Sequence, residues 1–331
     1  MAIKPTVFAT RPLPESVLEF LSPHCEVRAF AKDEALPPEE LASICREQPI
    51  EAILSTGTRV NRTVIEAARR LRVISHLGKG IDNIDVAACT ERQIIVTNVI
   101  NAPEESTADV AFALMLAVAR RLVEGDRYVR DGHWKAWSWR LLWGFDVFGK
   151  TIGLYGFGTI GQAVARRAAG FSMRTLYYAR HRVDESIERE LKAAYVEPET
   201  LIRESDFVSL HVPLTVETRH LISARELAGM KPTAFLINTA RGPVVDEAAL
   251  VEALESERIA GAGLDVFERE PSVHPALLKM PNVVLMPHLG SATGETRTRM
   301  AMFAAENMLA ALQGRRPPNI VNPEVLDGAL S

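Results

Sequence analysis

The chain has 331 residues, and 47% of them are hydrophobic, which is enough material for two hydrophobic cores. Its formal net charge of −4 lacks the basic excess that attracts nucleic acids or anionic membranes, and its longest apolar run, residues 110–119, is far shorter than the roughly 20 residues that span a bilayer. Three cysteines without CxxC spacing argue against a disulfide framework or a metal site, so we expect a cytoplasmic protein with no nucleic-acid, membrane or metal partner.

Short β-rich runs alternate with helical patterns over the first hundred residues. The predicted strands are TVFAT, EVRAF, EAILST and RVISHLG, and the helical patterns between them are PESVLEFL, PPEELASIC and NRTVIEAARR. The series continues through DVAACTERQIIVTN to about Asn98. Such alternation is typical of a parallel sheet wound with helices.

A long helix is predicted from about Ser106, where AFALMLAVARRL is apolar enough to bridge two domains. Residues 131–149 follow it, and this arm holds all four tryptophans with little helical or strand periodicity. A tryptophan buries on the order of 200 Å², so such an arm is normally covered. We predict that a second copy of the chain covers it in a homodimer, with packing against its own domain as the alternative.

A second alternating series opens at Thr151. Its predicted strands are TIGLYG, RTLYYA, DFVSLHV, TAFLINT, GAGLDVF and NVVLMPH, with helical patterns between the earlier ones. This order is typical of a doubly wound dinucleotide-binding domain. A last helix, from about Glu295 to Gln313, is predicted to return to the first domain.

A glycine motif lies at the start of this second series. The string TIGLYGFGTIGQAVARRAAGF places Gly156, Gly158 and Gly161 as GxGxxG between an apolar strand and an amphipathic helix. The first glycine permits a tight turn, the second lets a pyrophosphate approach the backbone, and the third lets helix and strand pack closely. Isolated glycine turns are common, but this strand-turn-helix setting predicts a dinucleotide on the helix N-terminus.

The next strand, TLYYARHR, ends without the acidic residue that usually holds the ribose 2′-hydroxyl of NAD. Ala179 stands in that place, and Arg180 and Arg182 follow it. Guanidinium groups offer paired donors to phosphate oxygens, which favours the 2′-phosphate of NADP(H). The alternative is a solvated basic loop. We predict NADP(H) as the preferred cofactor and NAD(H) as the other candidate.

Three further predicted strands are followed by Arg241, Glu270 and His288. Ligands collect at the carboxyl ends of strands in open parallel sheets, so these side chains can converge on one crevice. An arginine can clamp a carboxylate, and a histidine paired with a carboxylate can give a proton to a carbonyl oxygen as hydride reaches the carbon. Each residue taken alone also has a purely structural explanation, and His211 and His76 likewise follow apolar strands.

Several strings, in order along nearly the whole chain, together resemble the D-2-hydroxyacid dehydrogenase family and most closely its glyoxylate and hydroxypyruvate reductase branch. They are LGKGIDNIDVAACTERQIIVTN, ESTADVAFALMLAVARR, GKTIGLYGFGTIGQAVARRAAGF, HVPLTVETRHLI, INTARGPVVDEAAL, GAGLDVFEREP and PHLGSAT. The resemblance implies an α/β protein of two doubly wound parallel-sheet domains, with an active site in a cleft that closes over substrate. The implied domains are a flavodoxin-like substrate-binding domain at 1–100 and 290–331, and a Rossmann cofactor domain at 101–289 that includes the dimerisation arm 131–149.

The resemblance also implies residue roles. Arg241 binds and polarises the substrate, His288 performs acid–base chemistry, and Glu270 is the carboxylate that pairs with it. Trp139, from the arm of a neighbouring subunit, is the candidate to reach the substrate pocket. The backbone amides that hold the substrate carboxylate belong to Gly78, Lys79 and Gly80. The predicted cofactor-binding residues are Thr107, Gly156, Gly158, Thr159, Ile160, Gly161, Arg180, Arg182, His211, Pro213, Thr218, Thr239, Ala240 and Asp265. Of these, the resemblance places Thr107, Pro213 and Asp265 against the cofactor, with Asp265 at the nicotinamide carboxamide.

Lys79 departs from the family, in which a small apolar residue usually stands between the two glycines. A lysine there is similar to the phosphite dehydrogenases and can hold a doubly charged substrate, unless its side chain lies in solvent. The main hypothesis is an NADPH-preferring reductase of glyoxylate, hydroxypyruvate or 2-ketogluconate that yields D-2-hydroxy acids. The alternatives are a phosphite dehydrogenase and an NAD(P)-sensing scaffold of the corepressor type.

Overall fold

The computed structural model describes residues 4–326 of the chain. The described residues divide into two compact units, one made of residues 4–103 and 292–326 and the other of residues 104–291. Each unit is built on a parallel sheet with helices in its crossover connections. Within the described part, no helix combines the length and the apolar character needed to cross a membrane.

The first unit has a five-stranded parallel sheet. Its strands are β1 (Thr6–Ala9), β2 (Glu26–Ala29), β3 (Ile50–Ser55), β4 (Val73–His76) and β5 (Ile95–Thr97). Its helices are α1 (Glu15–Leu21), α2 (Pro38–Glu47), α3 (Arg62–Ala67), α4 (Val86–Glu91) and α12 (Gly294–Leu312). The strand order β2-β1-β3-β4-β5 is the flavodoxin-like order.

Central strands of this sheet are buried on both faces, so successive side chains enter two different cores. In β3, Ala52 and Leu54 face the core that contains α12, whereas Ile53 faces the core formed with α2, α3 and α4. The hydroxyl of Ser75 in β4 donates to the carbonyl of Ala304 in α12 at 2.7 Å. The C-terminal helix therefore belongs to the same unit as the N-terminal strands.

The second unit has a seven-stranded parallel sheet. Its strands are β6 (Thr151–Tyr155), β7 (Arg174–Tyr178), β8 (Ala193–Tyr195), β9 (Phe207–Leu210), β10 (Phe235–Asn238), β11 (Gly261–Leu264) and β12 (Val283–Leu285). Its helices are α5 (Glu104–Ala119), α6 (Leu122–Arg130), α7 (Thr159–Gly170), α8 (Glu185–Leu191), α9 (Pro198–Glu204), α10 (Ala224–Gly229) and α11 (Glu247–Glu255). The order β12-β11-β10-β9-β6-β7-β8 is the Rossmann order with one further strand at one edge.

Helices cover both faces of this sheet, which explains its nearly continuous apolar strands. In β10, Phe235 and Ile237 enter the core with α5 and α7, and Leu236 enters the core with α9, α10 and α11. Helix α5 packs especially closely on β11, because a Cβ on Gly263 would lie 2.9 Å from the Cβ of Leu114. The second sheet is thus closely packed on both faces and positions the loops at its carboxyl edge.

Two features of this unit differ from the sequence expectation. Strand β8 is an addition, since its three residues, Ala193–Tyr195, include no β-branched side chain and directly follow a helical pattern. The predicted bridging helix begins at Glu104 and ends at Ala119, and Arg121, with φ +54°, separates it from α6. No glycine or proline stands at this break, so the usual sequence signals of a helix end are missing.

The arm at residues 131–149 has no regular secondary structure. Trp134, Trp137, Trp139 and Trp143 are 56%, 75%, 72% and 60% exposed. Trp137 and Trp139 meet edge to face with their ring centroids 6.0 Å apart. The tryptophans therefore lie largely uncovered on a single copy of the chain.

Candidate active site

The loop after β6 depends on two glycines. Gly156 has φ +97°, and a Cβ there would lie 2.6 Å from the carbonyl oxygen of His211. A Cβ on Gly161 would lie 2.4 Å from the carbonyl oxygen of Gly156, so α7 packs directly on the turn. Side chains are excluded at both positions because backbone atoms occupy the space.

The middle glycine leaves the same loop open. Gly158 directly precedes α7, and a Cβ there would meet no atom of the described residues within 4 Å. Thr159 and Ile160 begin the helix, whose first N–H groups lack helical partners. The hydroxyl of Thr159 donates to Glu104 Oε1 at 3.3 Å, which ties the turn to α5. An open glycine turn at a helix N-terminus fits the pyrophosphate of a dinucleotide.

The basic segment after β7 is held by a carboxylate. Arg182 donates through Nε and Nη2 to the two oxygens of Glu188 at 2.8 and 2.7 Å, and the hydroxyl of buried Tyr177 donates to the same carboxylate at 2.7 Å. These hydrogen bonds, that of Arg182 first, lower the pKa of Glu188 to about 2. Arg180 is exposed and directly follows Ala179. Arg182 is therefore fixed in place, whereas Arg180 presents its side chain to solvent.

The predicted catalytic residues come to one edge of the second sheet through its strand order. Strands β10, β11 and β12 are parallel neighbours, and Arg241, Glu270 and His288 follow their carboxyl ends. The carboxyl ends of parallel strands lie at the same edge, so the three loops are adjacent.

Asn238, the last residue of β10, holds the turn that carries Arg241. Its Nδ2 donates to the carbonyl of Arg241 at 3.0 Å, and its Oδ1 accepts from the N–H of Ala240 at 3.0 Å. Gly242 then packs so tightly on the next loop that a Cβ there would lie 1.8 Å from the carbonyl carbon of Phe267. The loops after β10 and β11 are thus in direct backbone contact.

Glu270 and His288 form a hydrogen-bonded pair, with 2.9 Å between Oε2 and Nδ1. Oε1 of Glu270 accepts from the N–H of Phe267 at 3.1 Å. The pKa of Glu270 is lowered overall. Burial by itself raises this pKa, but it is outweighed by the hydrogen bond and charge of His288, by the N–H of Phe267 and by the charge of Arg241. With Nδ1 bound to an ionised carboxylate, the Nε2 side of the half-exposed ring is left for a reactant.

The backbone at His288 is strained and held by Asp265. His288 has φ +55°, a left-handed conformation that is costly for a non-glycine residue, and its N–H donates to the Asp265 carbonyl at 2.8 Å. The Asp265 carboxylate accepts from the N–H groups of Leu289 and Gly290 at 2.6 and 2.8 Å. Burial raises the pKa of Asp265 despite these bonds. Thr107 lies beside it, since a Cβ on Gly290 would be 3.4 Å from the Thr107 methyl.

His211 has a different environment at the end of β9. Its Nε2 lies 2.9 Å from the hydroxyl of Ser209, and burial lowers the pKa of His211 to about 3. The ring is therefore neutral near pH 7 and unsuited to donating a proton. Pro213 and Thr218 follow in a closed loop, in which the Thr218 hydroxyl donates to the Pro213 carbonyl at 2.6 Å. Of these two histidines, only His288 has the partner that acid–base chemistry needs.

The predicted carboxylate-binding residues follow β4 in the first unit. They are Gly78, Lys79 and Gly80. His76, the last residue of β4, is buried with Nδ1 3.1 Å from the Ser55 hydroxyl, and its Nε2 would lie 2.9 Å from a Cβ on Gly78. Asn98 donates to the carbonyl of half-buried Lys79 at 2.8 Å. The His76 ring thus packs under the glycine, and this candidate histidine has a structural place in the fold.

Asn238 and Glu247 also hold loops at this site, although neither residue was predicted to be functional from the sequence. Asn238 gave a weak signal, a polar residue that ends a buried strand and precedes the turn. Glu247 gave none, because an acid in the first turn of a helix is common and its partners lie on another loop. Thr239 and Ala240, predicted cofactor contacts, lie between Asn238 and Arg241, and Thr239 is buried.

Comparison with known proteins gives consistent results. A family model described as D-isomer specific 2-hydroxyacid dehydrogenase, NAD binding domain, matches residues 112–290. The chain is 52% identical over 328 residues to a glyoxylate reductase of Korarchaeum cryptofilum, a match that covers 98% of both chains. A solved protein of Thermus thermophilus has a TM-score of 0.88 and 45% identity over 96% of this chain and 99% of that one. An NADPH-dependent glyoxylate/hydroxypyruvate reductase of Sinorhizobium meliloti, in complex with NADP and malonate, has a TM-score of 0.83 and 31% identity over 96% and 97%.

Proposed function

The chain belongs to the D-isomer specific 2-hydroxyacid dehydrogenases, which are NAD(P)-dependent oxidoreductases, and we propose that it is an NADPH-preferring reductase of small 2-oxo acids. Its candidate substrates are glyoxylate, hydroxypyruvate and 2-ketogluconate, and its products are 2-hydroxy acids, of D configuration wherever the reduced carbon becomes a stereocentre. The observation that carries the proposal is the Glu270–His288 pair at 2.9 Å beside Arg241. The relatives named glyoxylate reductase support this choice of substrate class.

The chemistry follows from three side chains. A reduced nicotinamide, when bound, supplies the hydride that reaches the carbonyl carbon of the substrate. His288 gives a proton to the carbonyl oxygen, so that the carbonyl group gains one hydride at carbon and one proton at oxygen and becomes an alcohol. Glu270 stabilises the protonated ring before transfer and keeps its orientation, and Arg241 polarises the carbonyl and binds the acid.

The substrate carboxylate is assigned to the backbone amides of Gly78, Lys79 and Gly80. The bond from Asn98 to the Lys79 carbonyl supports this assignment, because it holds the loop backbone in one conformation. An ammonium group on Lys79 favours substrates with more negative charge or more hydroxyl groups than glyoxylate. Replacing Lys79 by Ala is expected to lower kcat/KM for 2-ketogluconate more than for glyoxylate.

The cofactor preference is assigned to the segment after β7. Arg180 is exposed where an acid would select NAD(H), and Arg182 keeps its Nη1 donors after binding Glu188 through Nε and Nη2. The solved relative in complex with NADP supports the same choice. The assignment of the other predicted cofactor contacts is part of this proposal.

We further propose a homodimer in which the arm at residues 131–149 is covered by the second copy. The exposed tryptophans support it, because large apolar rings left in water are costly. Trp139, at 72% exposed, is the candidate that reaches the substrate of the neighbouring subunit. The cytoplasmic location stays a prediction, and the buried free thiols of Cys25, Cys45 and Cys89 are compatible with it.

The proposed function is tested by the loss of NADPH absorbance with glyoxylate, hydroxypyruvate and 2-ketogluconate, and by NADH formation with phosphite as the competing reaction. We expect turnover of at least one 2-oxo acid and none of phosphite. His288→Ala should lower kcat by about 10² to 10⁴-fold, since a placed proton donor contributes that much. Phosphite oxidation alone, or binding of NADPH without turnover of any acid, would contradict the proposal.

A further inference from the structure

The loop after β11, residues 265–276, carries Glu270 and is held on both sides of it by one carboxylate from elsewhere. Glu247, the first residue of α11, accepts from the N–H of Glu268 at 2.8 Å through Oε2. It accepts from the N–H of His274 at 2.9 Å through Oε1. These two N–H groups flank Glu270, so a single side chain fixes both ends of the segment that presents it.

The contact is reciprocal. Oε2 of Glu268 accepts from the N–H of Glu247 at 3.3 Å, and its Oε1 accepts from Nε2 of His220 at 2.9 Å. The pKa of Glu268 is lowered overall. Burial by itself raises this pKa, but it is outweighed by the hydrogen bonds from His220 and from the Glu247 N–H and by the charges of His220 and Arg219. The loop is therefore tied to α11 and to the segment that follows β9.

Helix capping does not explain Glu247. The N-cap of α11 is Asp246, whose side chain already accepts from the N–H of Ala249 at 3.1 Å. An acid in the first turn is favourable at any helix N-terminus, but that role needs only nearby charge. Both oxygens of Glu247 instead bind N–H groups of a different loop.

We propose that Glu247 is a positioning residue for the Glu270–His288 pair. The inference rests on the proposed function of that pair. Glu247 keeps the Glu270 carboxylate within 2.9 Å of Nδ1 of His288, and the contact of Gly242 with Phe267 sets the distance between the Arg241 and Glu270 loops. The reaction rate depends strongly on the position of catalytic groups, because a displacement of about 1 Å can lower the rate by about a hundredfold.

Two substitutions of Glu247 distinguish the effect of its charge from the effect of its length and hydrogen-bonding geometry. Glu247→Gln keeps the size of the side chain but places an NH₂ group where one of the two N–H groups needs an acceptor. Glu247→Asp keeps the charge but is too short to reach both N–H groups. Both variants are expected to lower kcat, Glu247→Gln by about tenfold, with an unchanged KM for NADPH. Glu255→Gln, an exposed glutamate at the other end of α11, is the matched control and should behave as wild type.

Amide hydrogen exchange gives a readout that needs no substrate. Exchange in residues 265–276 is expected to speed up in Glu247→Gln and to stay at the wild-type rate in Glu255→Gln. A double-mutant cycle adds the functional link, because Glu247→Gln should cost little further activity when Glu270 is already Gln.

The outcomes distinguish the two proposals. A wild-type protein that reduces no 2-oxo acid would contradict the proposed function. In that case hydrogen exchange in Glu247→Gln still tests whether Glu247 holds the loop at residues 265–276. With an active wild type, unchanged kcat and unchanged exchange in Glu247→Gln would overturn the inference. An equal loss of kcat in the Glu270→Gln background would overturn it as well, since Glu247 would then not act through Glu270.

Discussion

Single residues with similar sequence surroundings have different chemistry at this site. His211 and His288 both follow apolar strands of the second sheet, but their partners differ. His288 is half exposed with a carboxylate at 2.9 Å, whereas His211 is partly buried and lies 2.9 Å from the hydroxyl of Ser209. The carboxylate accepts a hydrogen bond from Nδ1 of His288, whereas burial penalises an imidazolium ion at His211.

His211 therefore makes the stability of the protein depend on pH. The folded protein lowers its pKa from 6.5 to about 3, so between these values the unfolded chain binds a proton that the folded protein does not. Stability consequently falls as pH falls from 6.5 towards 3, by about 2 kcal/mol at pH 5. In urea unfolding, His211→Gln should show a loss of stability between pH 7 and pH 5 that is smaller by this amount.

His24→Gln is the control for this experiment, because His24 is exposed. It should leave the pH dependence of the wild type unchanged. An equal loss of stability between pH 7 and pH 5 in wild type and His211→Gln would show that His211 is not held neutral by burial.

At the level of elements, the connection between β7 and α8 combines a fixed and a free arginine. Glu188 in α8 holds Arg182, and buried Tyr177 in β7 holds Glu188 in turn. A guanidinium that is already oriented loses little entropy when it binds a phosphate. Arg180 has no such preorganisation in the structure, but it is the exposed cation next to Ala179.

Replacement of both Arg180 and Arg182 by Ala should lower the ratio of kcat/KM for NADPH to that for NADH. The loss is expected to be about 1 to 3 kcal/mol, or roughly 5-fold to 150-fold, for charged hydrogen bonds to the 2′-phosphate. Steady-state kinetics with both cofactors measures it. Arg189→Ala, an exposed arginine of α8, should not change the ratio. A wild-type ratio of one or less would contradict the assigned preference.

At the level of the whole molecule, the arm at residues 131–149 is the feature whose apolar side chains a single chain leaves exposed. Each of its tryptophans has on the order of 200 Å² to bury, and all four are more than half exposed. We expect light scattering or sedimentation at micromolar concentration to give the mass of two chains. A monomer under these conditions would contradict the dimer.

Trp139 provides a functional test of the same assembly. If it reaches the substrate of a neighbouring subunit, Trp139→Ala should change the relative kcat/KM among the 2-oxo acids and leave the KM for NADPH unchanged. A change in thermal stability alone would limit the arm to a structural role.

Local patterns in the sequence determined the alternating strands and helices, the parallel class of both sheets and the glycine turn at Gly156, Gly158 and Gly161. These features depend on neighbours within a few residues, because side-chain periodicity and the φ of a glycine are local properties. The family match and the Rossmann order agree with this interpretation. Strand β8, which has no β-branched side chain, and the helix break at Arg121, which has no glycine or proline, were not predicted because neither has a local sequence signal.

The family resemblance implied that Glu270 pairs with His288, but no local pattern did, and the physical reason that particular side chains meet lies in the tertiary structure. The Glu270–His288 bond follows from the pairing of β11 with β12, and the contact of Glu247 with the Glu270 loop follows from the pairing of β10 with β11. The difference between His211 and His288 is likewise a matter of burial, which depends on what packs around each ring. Strand order and burial both depend on residues that are far apart in the chain, so no local pattern can specify these contacts or environments.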